Sequence, residues 1–133
     1  MKTLKIFTIL LSLFVLSTTV SFGQKADKEK IVMVNMLNSL DFGVDGVVEA
    51  AIYNSIFLHQ YYPEINIQKV INKLNDVAED ASNPAIQFKA QLASLYLSNY
   101  ENNLNFEDYK ADREKVFQKI AQELETSLLV SSK

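Results

Sequence analysis

His59 is the single histidine of the chain and stands four places after Ser55, a spacing that brings both side chains to one face of a helix. A serine beside a histidine is the beginning of nucleophilic catalysis. It becomes a hydrolytic site only with an acid that orients the imidazole and donors that hold an oxyanion, and no nucleophile-elbow pattern surrounds Ser55. The pair therefore reads as a histidine at the rim of helix packing, and no catalytic residue is expected. One histidine without any cysteine would need three converging carboxylates to complete a zinc site, so neither a metal nor another cofactor is expected.

The run Asp41-Phe42-Gly43-Val44-Asp45-Gly46 has acids at the first and fifth positions and glycine at the sixth, the opening of a calcium loop. Gly43 brings no side-chain oxygen to the third position, and Ile52 stands where a bidentate Glu belongs. Glu49, at the ninth position, compensates only in part. A glycine closing one helix and an Asp capping the next accounts for the same residues. Asp76, Glu79 and Asp80 gather at the end of a helical stretch, where the helix dipole disfavours negative charge; this raises the question of a basic partner. Phe57, Tyr61, Tyr62, Tyr96 and Tyr100 fall near the ends of two similar helices, and they form the candidate partner-binding edge for a peptide or a glycan. Aromatic side chains at helical spacing also serve as filler between helices.

The elements that position these residues begin after a leader. Lys2 and Lys5 precede an apolar run from Ile6 to Val20, and small residues follow at Ser21 and Gly23, the layout of a secretory signal peptide. The run is shorter than the roughly 20 residues of a bilayer-crossing helix. Residues 1–23 are thus expected to be removed, leaving residues 24–133 as a single exported domain, periplasmic or secreted from a bacterial envelope, with no stable membrane insertion. The absence of Cys excludes lipid attachment at the cleavage point and suits an oxidising compartment.

The chain has 133 residues, 13 basic and 16 acidic side chains and a net charge of −3. Cleavage takes away Lys2 and Lys5 and no acid, so the remaining domain is still more acidic. Nucleic-acid binding, which draws on a surplus of Lys and Arg to release counterions, is not expected.

With three Gly and two Pro in the whole chain, few turn signals remain for a sheet, and the composition favours helices. The pattern predicts an all-α domain of five helices arranged as antiparallel hairpins. The first spans about Asp27 to Leu40, with Gly43 just beyond its end. Asp45 is expected to cap the second, which Pro63 must follow. The third runs from about Asn66 to Ala81 with an apolar stripe of Ile67, Val70, Ile71, Leu74, Val77 and Ala78. Asn83-Pro84 starts the fourth, which extends to about Leu97 and is apolar on most of its circumference, as for a helix enclosed by neighbours. The fifth is expected after Asn105, with Glu107 and Asp108 in its first turn, and runs through Tyr109 and Phe117 to about Leu129. Its charges Lys110, Arg113, Lys119, Glu107, Asp112, Glu114 and Glu123 read as pairs within one solvated face.

Shifting the chain against itself by 39 places lays Val47 on Ile86, Ala51 on Ala90, Ile56 on Leu95, Phe57 on Tyr96 and Tyr61 on Tyr100. A shift of 37 lays Met33 on Val70, Val34 on Ile71, Leu37 on Leu74 and Leu40 on Val77. Two helices recurring at this period approach the ~40 residues of HEAT and armadillo arrays. Pro84, Ile86, Ala90, Ala93 and Leu95, with Asp80 just upstream, follow the spacing of an inner HEAT helix, so this part of the chain resembles a HEAT-like repeat. It departs from that pattern at Gln87 and Val48, where the Arg that binds successive units is usual. The resemblance implies a scaffold for interaction and no particular chemistry.

Two functions follow as expectations. The first is a non-enzymatic interaction module that meets a protein partner, or a second copy of itself, through the aromatic edge or an inner helix face. The second is a carrier holding a small apolar ligand in a pocket lined by Phe88, Tyr96 and Phe117.

Overall fold

The computed structural model describes residues 23–99, 105, 107 and 111–132. Residues 1–22 of the expected leader 1–23, together with Tyr100, Asp108, Tyr109 and Lys110, lie outside the described residues. The chain forms two compact units, Met1–Val34 and Asn35–Lys133. The described part of the first, residues 23–34, is helical.

Among the described residues the protein is all-α, with five helices and no strand. Helix α1 covers residues 23–40, and α2 (Asp45–Tyr61), α3 (Ile67–Asp80), α4 (Pro84–Ser98) and α5 (Arg113–Ser131) follow. Gly43, between α1 and α2, has φ +76°, a conformation that a side chain would strain. Asp45 does not cap α2. It is the first helical residue, and the cap position is Val44, which brings no side-chain bond. The caps of the next two helices are asparagines: Asn66 accepts from the Gln68 N–H at 3.2 Å and Asn83 from the Ala85 N–H at 3.0 Å, each satisfying a donor that the first helical turn leaves open.

The fifth helix starts later than the sequence suggests. Asn105 accepts from the Glu107 N–H, which closes a local turn, and Asp112 caps α5 by accepting from the Lys115 N–H at 3.3 Å. Two oxygen-bearing residues followed by acids compete as helix starts, and only the second leads directly into the apolar series Val116, Phe117, Ile120.

Residues 81–83 join α3 to α4, and so short a connection makes the two an antiparallel hairpin. Their packing is the most extensive in the second unit. Val70, Ile71, Leu74 and Val77 are buried from α3, and Ala90 and Ala93 from α4, where small side chains allow the helices to approach. Midway along the hairpin the Ser94 hydroxyl donates to Asn75 Oδ1. Helix α4 also packs on α2 and α5, yet it is not enclosed all round. Phe88 is 56% and Leu95 43% exposed, because three neighbours cover the face of Ile86, Ala90, Ala93 and Leu97 and leave the opposite side to solvent.

The two repeated helices lie side by side and run in the same direction. Asn83 Nδ2 donates to Asp45 Oδ2 at 2.8 Å, which joins their starting ends, and Lys89 meets Glu49 farther along. These pairs are 38 and 40 positions apart, bracketing the shift of 39 that aligns the sequences of α2 and α4.

Candidate binding cleft

The residues whose types suggested chemistry are distributed as follows. Ser55 is fully buried and its hydroxyl donates to the Ile52 carbonyl of its own helix at 2.7 Å, so its oxygen is engaged in backbone satisfaction and no substrate reaches it. His59 is half-buried near the end of α2. In the calcium-like run, Asp41 binds Lys73 Nζ at 2.8 Å and Asp45 accepts from Asn83, so the two carboxylates serve different partners. No group of three or more His, Asp or Glu side chains among the described residues is arranged to hold a metal ion.

Of the aromatic set, Phe57 is a core residue. It is 7% exposed and meets the Tyr53 ring edge to face, with centroids 5.2 Å apart and planes at 62°. A side chain so buried offers no surface to a partner, and this corrects the expectation that it belongs to a binding edge. Tyr61 is 59% exposed, Tyr62 and Tyr96 are half-buried, and Tyr100 lies outside the described residues. The residues suggested for a ligand pocket separate as well: Phe88 is turned to solvent, whereas Phe117 is in the core beneath the Lys89 ammonium, 5.4 Å from its ring centroid.

A cleft of about 330 Å³ opens where α1 ends, α2 begins, α3 ends and α4 begins. Its floor is apolar, made by the buried side chains of Leu40, Val48, Val77 and Ile86, and its rim carries Asp41, Asp45, Asp76 and Asp80 with Lys73 as the single cation. The fold assembles this chemistry from distant segments. Asp76 and Asp80 lie one turn apart at the end of α3, a helix with no basic residue in its last turn, and Asp41 of the α1–α2 loop and Asp45 at the start of α2 complete the acidic lining. Lys73 is committed to Asp41. Neither Asp76 nor Asp80 makes an ion pair with another described residue, and both sit at the negative end of the α3 dipole. The cleft thus concentrates negative potential over an apolar base. Glu79, the third acid of that sequence cluster, is exposed but does not line it.

One polar cluster escaped the sequence reading. Lys89 of α4, 12% exposed at its side chain, bonds Glu49 of α2 and Glu114 of α5, so a single ammonium ties three helices. Burial by itself would lower the Lys89 pKa, but hydrogen bonds to Glu114 and Glu49 and the attraction of their charges together outweigh it, and the pKa is raised above 10.5. Glu114 therefore reaches across to another helix, unlike Lys119 and Glu123, which pair within α5 at 2.8 Å as their spacing suggests. The clue was in the repeat, since Glu49 and Lys89 are separated by nearly the shift that aligns α2 with α4. The Arg113 guanidinium lies over the Tyr53 ring at 5.3 Å, a direct contact between the start of α5 and α2.

Among the described residues no helix is long and apolar enough to cross a membrane. The chain matches no protein-family profile, no curated protein and no solved structure.

Proposed function

We propose that this chain is an exported, non-enzymatic interaction module, and that its cleft receives a Lys- or Arg-bearing segment of a protein partner. The observation that carries this reading is the cleft itself, with four aspartates and one lysine around an apolar floor. A lysine or arginine side chain matches both parts of that lining, because its aliphatic stem can cover apolar carbon while its charged head stays at the rim. Individual exposed ion pairs contribute only about 0–1 kcal/mol, so such a segment would bind through several contacts, reversibly and with strong dependence on salt. An acidic cleft on a chain of net charge −3 does not suit a second copy of the same surface. The carrier reading has less support, because the cleft is open and charged and Phe88 faces solvent.

The test is capture by the processed chain from its native envelope, followed by binding of the recovered partner and of peptides from its basic segments. Asp76→Asn and Asp80→Asn should each weaken binding while leaving the melting temperature near that of the parent, and binding should fall steeply with added salt. Binding indifferent to both substitutions and to salt would overturn the reading. A bound apolar small molecule seen by native mass spectrometry would favour the carrier.

A further inference from the structure

We propose that α5 is a clasp, a helix that detaches from α4 as a unit while α2, α3 and α4 stay folded. Among the described residues, its buried side chains lie toward its N-terminal end. The buried side chains of α5 are Val116, Phe117 and Ile120, and every residue from Glu125 to Ser132 is exposed. Contacts that the described residues show from α5 to α2 and α4 include, in the same stretch, Glu114 on Lys89, Phe117 beneath the Lys89 ammonium and Arg113 over Tyr53.

The charges that α5 would leave behind are already provided for. When Glu114 withdraws, Lys89 keeps Glu49, so the bridge between α2 and α4 survives and no buried ammonium is stranded. Glu114 is 62% exposed at its side chain even in the closed state, so its transfer to full hydration is small. The capping of α5 is also its own, through Asp112, and separation from α4 does not remove it. Detachment uncovers Phe117 and the side of α4 that it shields. Segments with few buried contacts open at lower free energy than the packed centre of a domain, and here those few contacts all break together.

Native-state hydrogen exchange on the full chain, followed residue by residue in increasing sub-denaturing urea, tests the proposal. Amides from Val116 to Ala121 should exchange through an opening at least about tenfold more populated than that of the slowest α3 and α4 amides. That opening should also depend more weakly on urea, since less surface is exposed. Glu114→Gln should raise exchange in α5 several-fold and leave α3 unchanged, and Arg113→Gln, made separately, should do the same. If the Val116–Ala121 amides share the opening constant and urea dependence of α4, or if both substitutions accelerate α3 and α5 equally, the clasp does not exist and α5 belongs to the cooperative core.

Discussion

Asn83 holds Asp45 at 2.8 Å across 38 positions of sequence while its own Oδ1 caps α4 on the Ala85 N–H at 3.0 Å. One amide side chain thus fixes both the start of a helix and the register of that helix against its repeat. Both starts expose N–H groups and the positive ends of two helix dipoles, and the Asp45 carboxylate lies beside them.

Replacing this amide separates its two roles. Asn83→Ala should lose the cap and the contact and destabilise by about 1–2 kcal/mol, measured by urea unfolding. Asn83→Asp keeps a capping oxygen but sets a second carboxylate against Asp45. It should also be less stable than the parent, and added salt should narrow that difference.

Lys89 gives a signature at high pH. Its folded pKa is raised above 10.5, so its contribution to stability is fully present below the unfolded value and is lost as pH rises through the folded one. Lys89→Gln should cost on the order of 1–2 kcal/mol near neutrality. Melting temperatures of parent and variant should converge as the pH rises past 10.5 and through the raised folded pKa. A gap that stays constant over that range would mean the ammonium contributes nothing through its charge.

The two glycines near the start of α2 should respond in opposite directions. No atom lies within 4 Å of a Cβ added at either one, so backbone conformation alone decides. Gly43, at φ +76°, should lose about 1–2 kcal/mol on substitution by alanine. Gly46 is helical, and Gly46→Ala should gain about 0.4–1 kcal/mol. Thermal unfolding of the two variants checks both signs.

Core and periphery should differ as sharply. Ile52 and Leu74 are fully buried, and either one changed to alanine should cost about 2–5 kcal/mol. Leu128 is 69% exposed, and Leu128→Ala should stay within about 0.5 kcal/mol of the parent by the same measurement.

The helices were legible wherever local chemistry and pattern agreed. Asn83 caps where the sequence indicated, and the α3 stripe is the buried face, because a cap and a 3.6-residue period are both local properties. The start of α5 was misplaced because Asn105 and Asp112 offer similar caps, and downstream packing chooses between them. Phe57 could be binding edge or filler from sequence alone and is buried, whereas Phe88, read as part of an enclosed helix, faces solvent, since periodicity on a largely apolar helix does not say which side its neighbours cover. Half of the cleft was visible as the acids closing α3. The other half, Asp41 and Asp45, looked like a failed calcium loop, and only the folded chain brings them into one lining with Asp76 and Asp80. The Lys89 cluster depends on three helices at once and has no local signature apart from the repeat register.

The central place of α4 also sets an order of assembly. It packs on α2, α3 and α5, and only α3 is reached through so short a connection, residues 81–83, so the α3–α4 hairpin closes with the smallest loss of chain entropy. That hairpin is the expected nucleus, with α2 and α5 condensing on α4 after the rate-limiting step. Truncations at Leu74 or Ala90 would then slow folding, whereas truncation at Ile120 would speed unfolding instead.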